Sequence, residues 1–184
     1  MTRRFVVAAG GLLGALAIVA VSGPAGATPT TTRGPSFGRF TISFPSAPKS
    51  ESNTKEVLSG FPAGVKSATA YWVSPVADPL GSSSAAPPAP SYLVVVGRAK
   101  STKQAGTFTS AIKRVPGTQK VTVNGATGYR FVGTEKELSQ SAAKDPGATE
   151  AFMYLSRSTT LYAVIVISDN HAQALSFLGS FRPG

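Results

Sequence analysis

The chain has 184 residues, no cysteine, and 18 Lys+Arg against 8 Asp+Glu, a formal net charge of +10. The missing thiols exclude disulfides, cysteine nucleophiles, cysteine-ligated zinc and a lipid-modified N-terminal cysteine. The surplus of positive charge favours anionic partners.

Arg3 and Arg4, the uncharged stretch Phe5 to Val21 and then Ser22-Gly23-Pro24-Ala25-Gly26-Ala27 predict a secretory signal over residues 1–27. Ala25 and Ala27 satisfy the A-x-A rule and Pro24 stops the apolar helix, so the mature chain is expected to begin at Thr28. The alternative is an uncleaved membrane anchor over residues 5–21. Its 17 residues suffice for a short span, but Gly10, Gly11 and Gly14 weaken it as a helix. Phe5 follows the twin arginines one place earlier than in the Tat pattern, which favours general secretion. Cleavage removes two of the 18 basic residues and none of the 8 acids, leaving a net +8. Outside the cytoplasm the abundant anions are lipid headgroups and cell-wall polymers, so no nucleic-acid partner is expected. A mature chain of 157 residues suits one monomeric domain that buries roughly 70% of its unfolded surface.

Residues 28–36 form a Thr/Pro/Gly leader, read as a flexible tether because it has too little apolar content to fold. The domain follows at 37–184. Phe40, Ile42 and Phe44 alternate with Thr41 and Ser43, a half-buried strand ended by Pro45 and Pro48. A second strand is predicted from Val65 to Val73. Ser67, Thr69, Tyr71 and Val73 lie on one face and Lys66, Ala68, Ala70 and Trp72 on the other, so neither face is cleanly apolar. Residues 74–91, with five prolines and a Gly81-Ser82-Ser83-Ser84 run, read as a long irregular loop.

Tyr92 to Arg98 suits a central strand buried on both faces. Ser101 and Gln104 form a capping box that opens a helix to about Arg114. Lys120–Val123 and Gly128–Val132 make a hairpin through Asn124-Gly125. A two-residue turn would set Val121 and Val123 on the face opposite Tyr129 and Phe131, whereas a longer loop or a bulge at Gly128 would put all four together. Thr134 and Glu137 form a second capping box, for a short helix to about Lys144. Glu150–Arg157 and Leu161–Ser168 read as a hairpin through Ser158-Thr159. Asp169 then caps a last helix whose Ala174, Leu175, Leu178 and Phe181 form the packing stripe. The sum is an α+β fold, an antiparallel β-sheet with helices packed on it.

Phe40-Thr41-Ile42-Ser43-Phe44-Pro45 at the opening, the Gly125 and Gly128 turn, and Leu161-Tyr162-Ala163-Val164 with Phe177-Leu178-Gly179-Ser180-Phe181 at the close are packing motifs. Over about residues 37–182 they resemble uncharacterised secreted bacterial α+β domains and, more distantly, the PsbP-like fold. The resemblance implies a fold and carries no catalytic set. The Pro-rich stretch after Ser74 and the second strand's poor alternation depart from it and leave strand order open.

Catalytic patterns are weak. Ser46-Ala47-Pro48-Lys49 matches S-x-x-K and Ser168-Asp169-Asn170 matches S-D-N, a pairing used by serine acyl-enzymes. But S-x-x-K recurs at Ser52, Ser110 and Ser141, K-T-G is missing, and only 14 residues follow the S-D-N. His171, the single histidine, falls in the first turn of the last helix. Glu135, Glu137, Asp145 and Glu150 form no calcium loop, and no cofactor or metal is expected. The positive signal is a stretch between Asp78 and Glu135 without any acid, which holds Arg98, Lys100, Lys103, Lys113, Arg114, Lys120 and Arg130. Lys100, Lys103, Lys113 and Arg114 flank or lie on one helix. They are the expected anion-binding residues, with Tyr71 or Trp72 as an apolar contact and anionic lipid or wall polymer as ligand. The reading is a secreted, non-enzymatic binding or structural module at the cell envelope. The alternatives are an envelope hydrolase, or an anchored accessory subunit if the signal stays uncut.

Overall fold

Alternating burial and short turns give ten strands and three helices in the computed structural model, counted over the residues it describes: 30–59, 61, 65–75, 90–134 and 148–184. The main sheet comprises β3 (Lys49–Ser52), β4 (Val65–Val73), β5 (Ser91–Ala99), β6 (Gln119–Val123), β7 (Ala126–Thr134), β8 (Thr149–Arg157) and β9 (Thr160–Ser168). Their order is β3-β4-β5-β9-β8-β7-β6, antiparallel at every junction. A small sheet, β1-β2-β10, is made from β1 (Thr30–Arg33), β2 (Phe40–Phe44) and β10 (Arg182–Pro183). The helices are α1 (Lys55–Ser59), α2 (Thr102–Ile112) and α3 (His171–Ser180). The fold class is α+β, dominated by antiparallel sheet.

Strand parity decides what covers each face of the main sheet. Tyr92, Val94 and Val96 of β5, Met153 and Leu155 of β8 and Tyr162, Val164 and Val166 of β9 point to one side. There they meet Phe40, Ile42 and Phe44 of β2 and Ala174, Phe177 and Leu178 of α3, with Phe181 beside them. Phe181 lies 5.6 Å from the Phe40 ring and 5.5 Å from Tyr162, and Phe44 lies 5.2 Å from Phe177, so the small sheet and α3 are locked by aromatic contacts. The other side carries Ala68, Ala70 and Trp72 of β4, Leu93 and Val95 of β5 and Leu161 and Ala163 of β9. Val57 of α1, Phe61, and Ala105 and Phe108 of α2 cover it. The small residues on β4 are what allow this cover. Gly97 of β5 belongs to the same arrangement, since a Cβ there would sit 2.9 Å from the Phe61 ring.

The predicted second strand, central strand, first helix, both hairpins and last helix are all present. Turn parity resolves in favour of the two-residue loop: Val123 pairs with Ala126 and Val121 with Gly128, leaving Val121 and Val123 opposite in face to Tyr129 and Phe131. Asn124 and Gly125 have φ of 45° and 78°, the left-handed pair that such a turn demands.

Three expectations need correction. The leader over 28–36 is not a free tether from Thr30 onward, because Thr30–Arg33 pairs with β2 in register Thr30 to Phe44 and Arg33 to Thr41. Backbone hydrogen bonding to an exposed strand edge substitutes for the missing apolar content. The last helix is capped by Asn170, whose side chain accepts the Gln173 N–H, and not by Asp169. Its packing stripe uses Phe177 in place of Leu175, which is 39% exposed. The signal with its cleavage site Ala25, Ala27 and Thr28, most of the Pro-rich loop 74–91 and the helix proposed after Thr134 lie outside the described residues.

Candidate functional site

The expected basic helix forms, but its cations do not gather. Ser101 Oγ accepts the Gln104 N–H at 3.2 Å, and Gln104 Oε1 accepts the N–H of Lys100 at 2.8 Å, one residue before the cap. Lys100 and Lys103 are therefore exposed at the start of α2, while Lys113 and Arg114 are exposed at its end. Ten residues of helix separate Lys103 from Lys113 by about 15 Å, beyond the screening length of about 8 Å at physiological salt. The remaining cations of the acid-free stretch divide between the sheet faces, Arg98 and Arg130 on the side of the small sheet and Lys120 on the other. Trp72 is 7% exposed and lies in the core under α1, so it is not a surface contact. Tyr71, one residue earlier, points to the opposite face and meets the Phe40 ring edge-on at 5.5 Å.

A tighter group of cations forms where sequence spacing gives no hint of it. Arg33 of β1 and Arg182 of β10 both lie opposite Thr41 of β2, one on each flank. Residues directly opposite share a face, so both arginines stand on the exposed side of the small sheet while Phe40 and Ile42 point into the core. Two strand spacings put their Cα atoms about 10 Å apart. Arg39, two residues before Thr41, belongs to the same face. Together they line an open cleft of about 450 Å³ with Thr41, Asn124 and Gly184, and among the described residues no Asp or Glu side chain contributes to its wall.

This cleft is held by backbone and side-chain bonds. The Arg39 carbonyl accepts the Gly184 N–H at 2.8 Å and the Tyr162 hydroxyl at 3.3 Å. Gly34 N–H donates to the Phe40 carbonyl at 3.0 Å, and Thr160 Oγ1 donates to the Phe37 carbonyl at 3.1 Å. The Arg182 guanidinium donates through Nη1 to the carbonyls of Gly179 and Phe181, which pins it over the end of α3. Arg157, exposed on the neighbouring hairpin, donates from Nη1 to the Gly184 carbonyl at 2.8 Å. The signal that sequence reading missed is the pairing of β1 and β10 with one central strand, which joins Arg33, Arg39 and Arg182 across 149 residues of chain.

The residues of the catalytic patterns fall at separate places in the fold. Ser168 is buried and its Oγ accepts the Asn170 N–H at 3.1 Å, so the S-D-N sequence serves the start of α3. Ser46 lies between β2 and β3, and Lys49 is exposed on β3 opposite Trp72. His171 is exposed, with Nδ1 3.3 Å from Thr149 Oγ1. Among the described residues no three His, Asp or Glu side chains are grouped to hold a metal, and no helix is long and apolar enough to cross a membrane. Comparison with protein-family models, curated proteins and solved structures finds no match for this chain.

Proposed function

We propose that the protein is a secreted, non-enzymatic binding module of the cell envelope that docks an anionic ligand in the arginine cleft of its small sheet. One observation carries the reading: Arg33, Arg39 and Arg182 line one open cleft, with no Asp or Glu side chain among its described lining residues. Three guanidinium groups bordering one cleft can share the hydrogen bonds and charge of a single anion. The strands supply positions that are fixed before binding, which spares the ordering entropy that flexible lysines would lose. The proposed address rests on the signal-like residues 1–27, and N-terminal sequencing of protein from culture medium should return Thr28. The PsbP-like assignment is part of this proposal. It is supported by the packing of the opening Phe40 to Phe44 segment against the closing Phe177 to Phe181 segment.

The test is co-sedimentation with vesicles containing phosphatidylglycerol against vesicles of phosphatidylcholine alone. Binding to the former should be lost in the Arg33→Gln, Arg39→Gln, Arg182→Gln triple variant and kept when Lys100, Lys103, Lys113 and Arg114 are neutralised instead. Equal binding to both vesicle types, or loss only in the α2 variant, would sink the proposal.

A further inference from the structure

We infer that the cleft recognises a phosphate group, one tetrahedral oxyanion held over Thr41 by arginines from two or three strands; this rests on the anion-docking reading above. A planar carboxylate is matched by one guanidinium fork, which leaves the other arginines uncompensated. The cleft offers more than one fork. Arg33 and Arg182 flank Thr41 on the two neighbouring strands and Arg39 lies before β2, so the cations reach one cleft from both sides of Thr41 and from along its own strand. A tetrahedral phosphate does not confine its oxygens to one plane, so it meets donors arriving from several sides, and each phosphodiester of a lipid or a polymer keeps two unesterified oxygens and one full charge at neutral pH.

The polar remainder agrees. The Thr41 hydroxyl stands between the two flanking arginines as a neutral donor. Arg182 commits Nη1 to the carbonyls of Gly179 and Phe181, which orients its guanidinium, and the side chain is exposed. Asn124 closes the cleft from the β6–β7 turn, where its amide nitrogen lies 3.4 Å from the Pro183 carbonyl. A lipid headgroup and a phosphodiester polymer of the wall present the same group, so the cleft is specific for phosphate chemistry and the source is for experiment to separate.

The experiment uses the intact protein and two sets of phosphatidylcholine vesicles matched in surface charge, one doped with phosphatidylglycerol and one with oleate. Binding at least tenfold tighter to the phosphatidylglycerol set, with competition by inorganic phosphate and not by acetate at equal ionic strength, is the expected result. Equal binding to the two sets overturns the phosphate inference while leaving anion docking intact; no binding to either set or to soluble polyphosphate removes both. Arg182→Lys keeps the charge and the fold but lacks the fork, and it should lose the preference for phosphatidylglycerol while still binding both sets. Retained preference in that variant counts against the inference. Soluble polyphosphate provides the second arm: binding to it without binding to vesicles assigns a wall polymer as source, and the converse assigns lipid.

Discussion

A Cβ placed on Gly128 would fall 1.9 Å from the carbonyl oxygen of Tyr154 on the neighbouring strand. No real Cβ contact is that short, and the obstacle is backbone in the middle of the sheet, which cannot step aside. Gly128→Ala should therefore destabilise by about 3 kcal/mol, the upper part of the overpacking range, read as a lower urea midpoint. Gly106 in α2 is the control, since a Cβ there meets nothing within 4 Å. Gly106→Ala should raise stability by roughly 0.5–1 kcal/mol.

The indole nitrogen of Trp72 is buried and has no hydrogen-bond partner among the described residues. A desolvated donor without a partner carries a cost of about 1–3 kcal/mol, which the side chain's apolar burial must offset. Trp72→Phe removes that donor and keeps most of the ring. Its loss of stability should stay below about 1 kcal/mol, whereas Trp72→Ala should lose about 3–5 kcal/mol. Comparable losses in the two variants would show that indole volume, not the orphaned N–H, governs the site.

Asn170 and Asp169 separate two readings of the last helix. Only Asn170 accepts a backbone N–H of the first turn, that of Gln173 at 3.1 Å. Asn170→Ala should cost about 1 kcal/mol and Asp169→Ala a few tenths at most, measured by thermal or urea unfolding.

Local chemistry made most of the fold legible in the sequence. Phe40, Ile42 and Phe44 alternate because one face of β2 is buried, and Asn124-Gly125 turns because both residues adopt positive φ. Asp169 and Asn170 are both good caps, so composition could not choose between them, and side-chain direction did. Thr30–Arg33 has no apolar signature, and its strand exists only because β2 offers an unpaired edge. The arginine cleft is hidden for the same reason. The acid-free stretch from Asp78 to Glu135 places cations close together along the chain, not in space. Helix rise spreads those cations apart, while strand pairing joins Arg33 to Arg182.

Tyr154 predicts an alkaline weakness. Its ring sits 5.3 Å from Phe108 of α2, and burial, with a smaller contribution from the charge of Glu150, pushes its phenol up to about 12 from about 10. The neutral phenol is the form favoured by folding. Between pH 10 and 12 the unfolded chain has released this proton and the native one retains it, so stability falls as pH rises across that window. The loss from this group is on the order of 2 kcal/mol by pH 12 and absent below pH 9. Tyr71, Tyr92 and Tyr162 are raised by burial as well and steepen the same decline. Urea midpoints measured from pH 8 to 11 should fall for the native sequence and fall less for Tyr154→Phe.

Gly38 links the core to the cleft without touching a ligand. Its missing Cβ would sit 2.3 Å from Cγ1 of Val96 and 3.0 Å from Cγ2 of Thr160, so the segment between β1 and β2 lies directly on the main sheet. Thr160 holds it there through the Phe37 carbonyl, one residue before Gly38 and two before Arg39. A methyl group at Gly38 must lift this segment away from Val96, and Arg39 travels with it. Gly38→Ala should cost about 1–3 kcal/mol of stability through overpacking. It should also weaken binding to phosphatidylglycerol vesicles about as much as Arg39→Gln does, under conditions where circular dichroism shows the variant folded. Gly106→Ala, remote on α2, should leave binding unchanged. If Gly38→Ala loses stability and retains full binding, Arg39 does not take its position from this contact, and the cleft is less tightly built than the backbone bonds around it indicate.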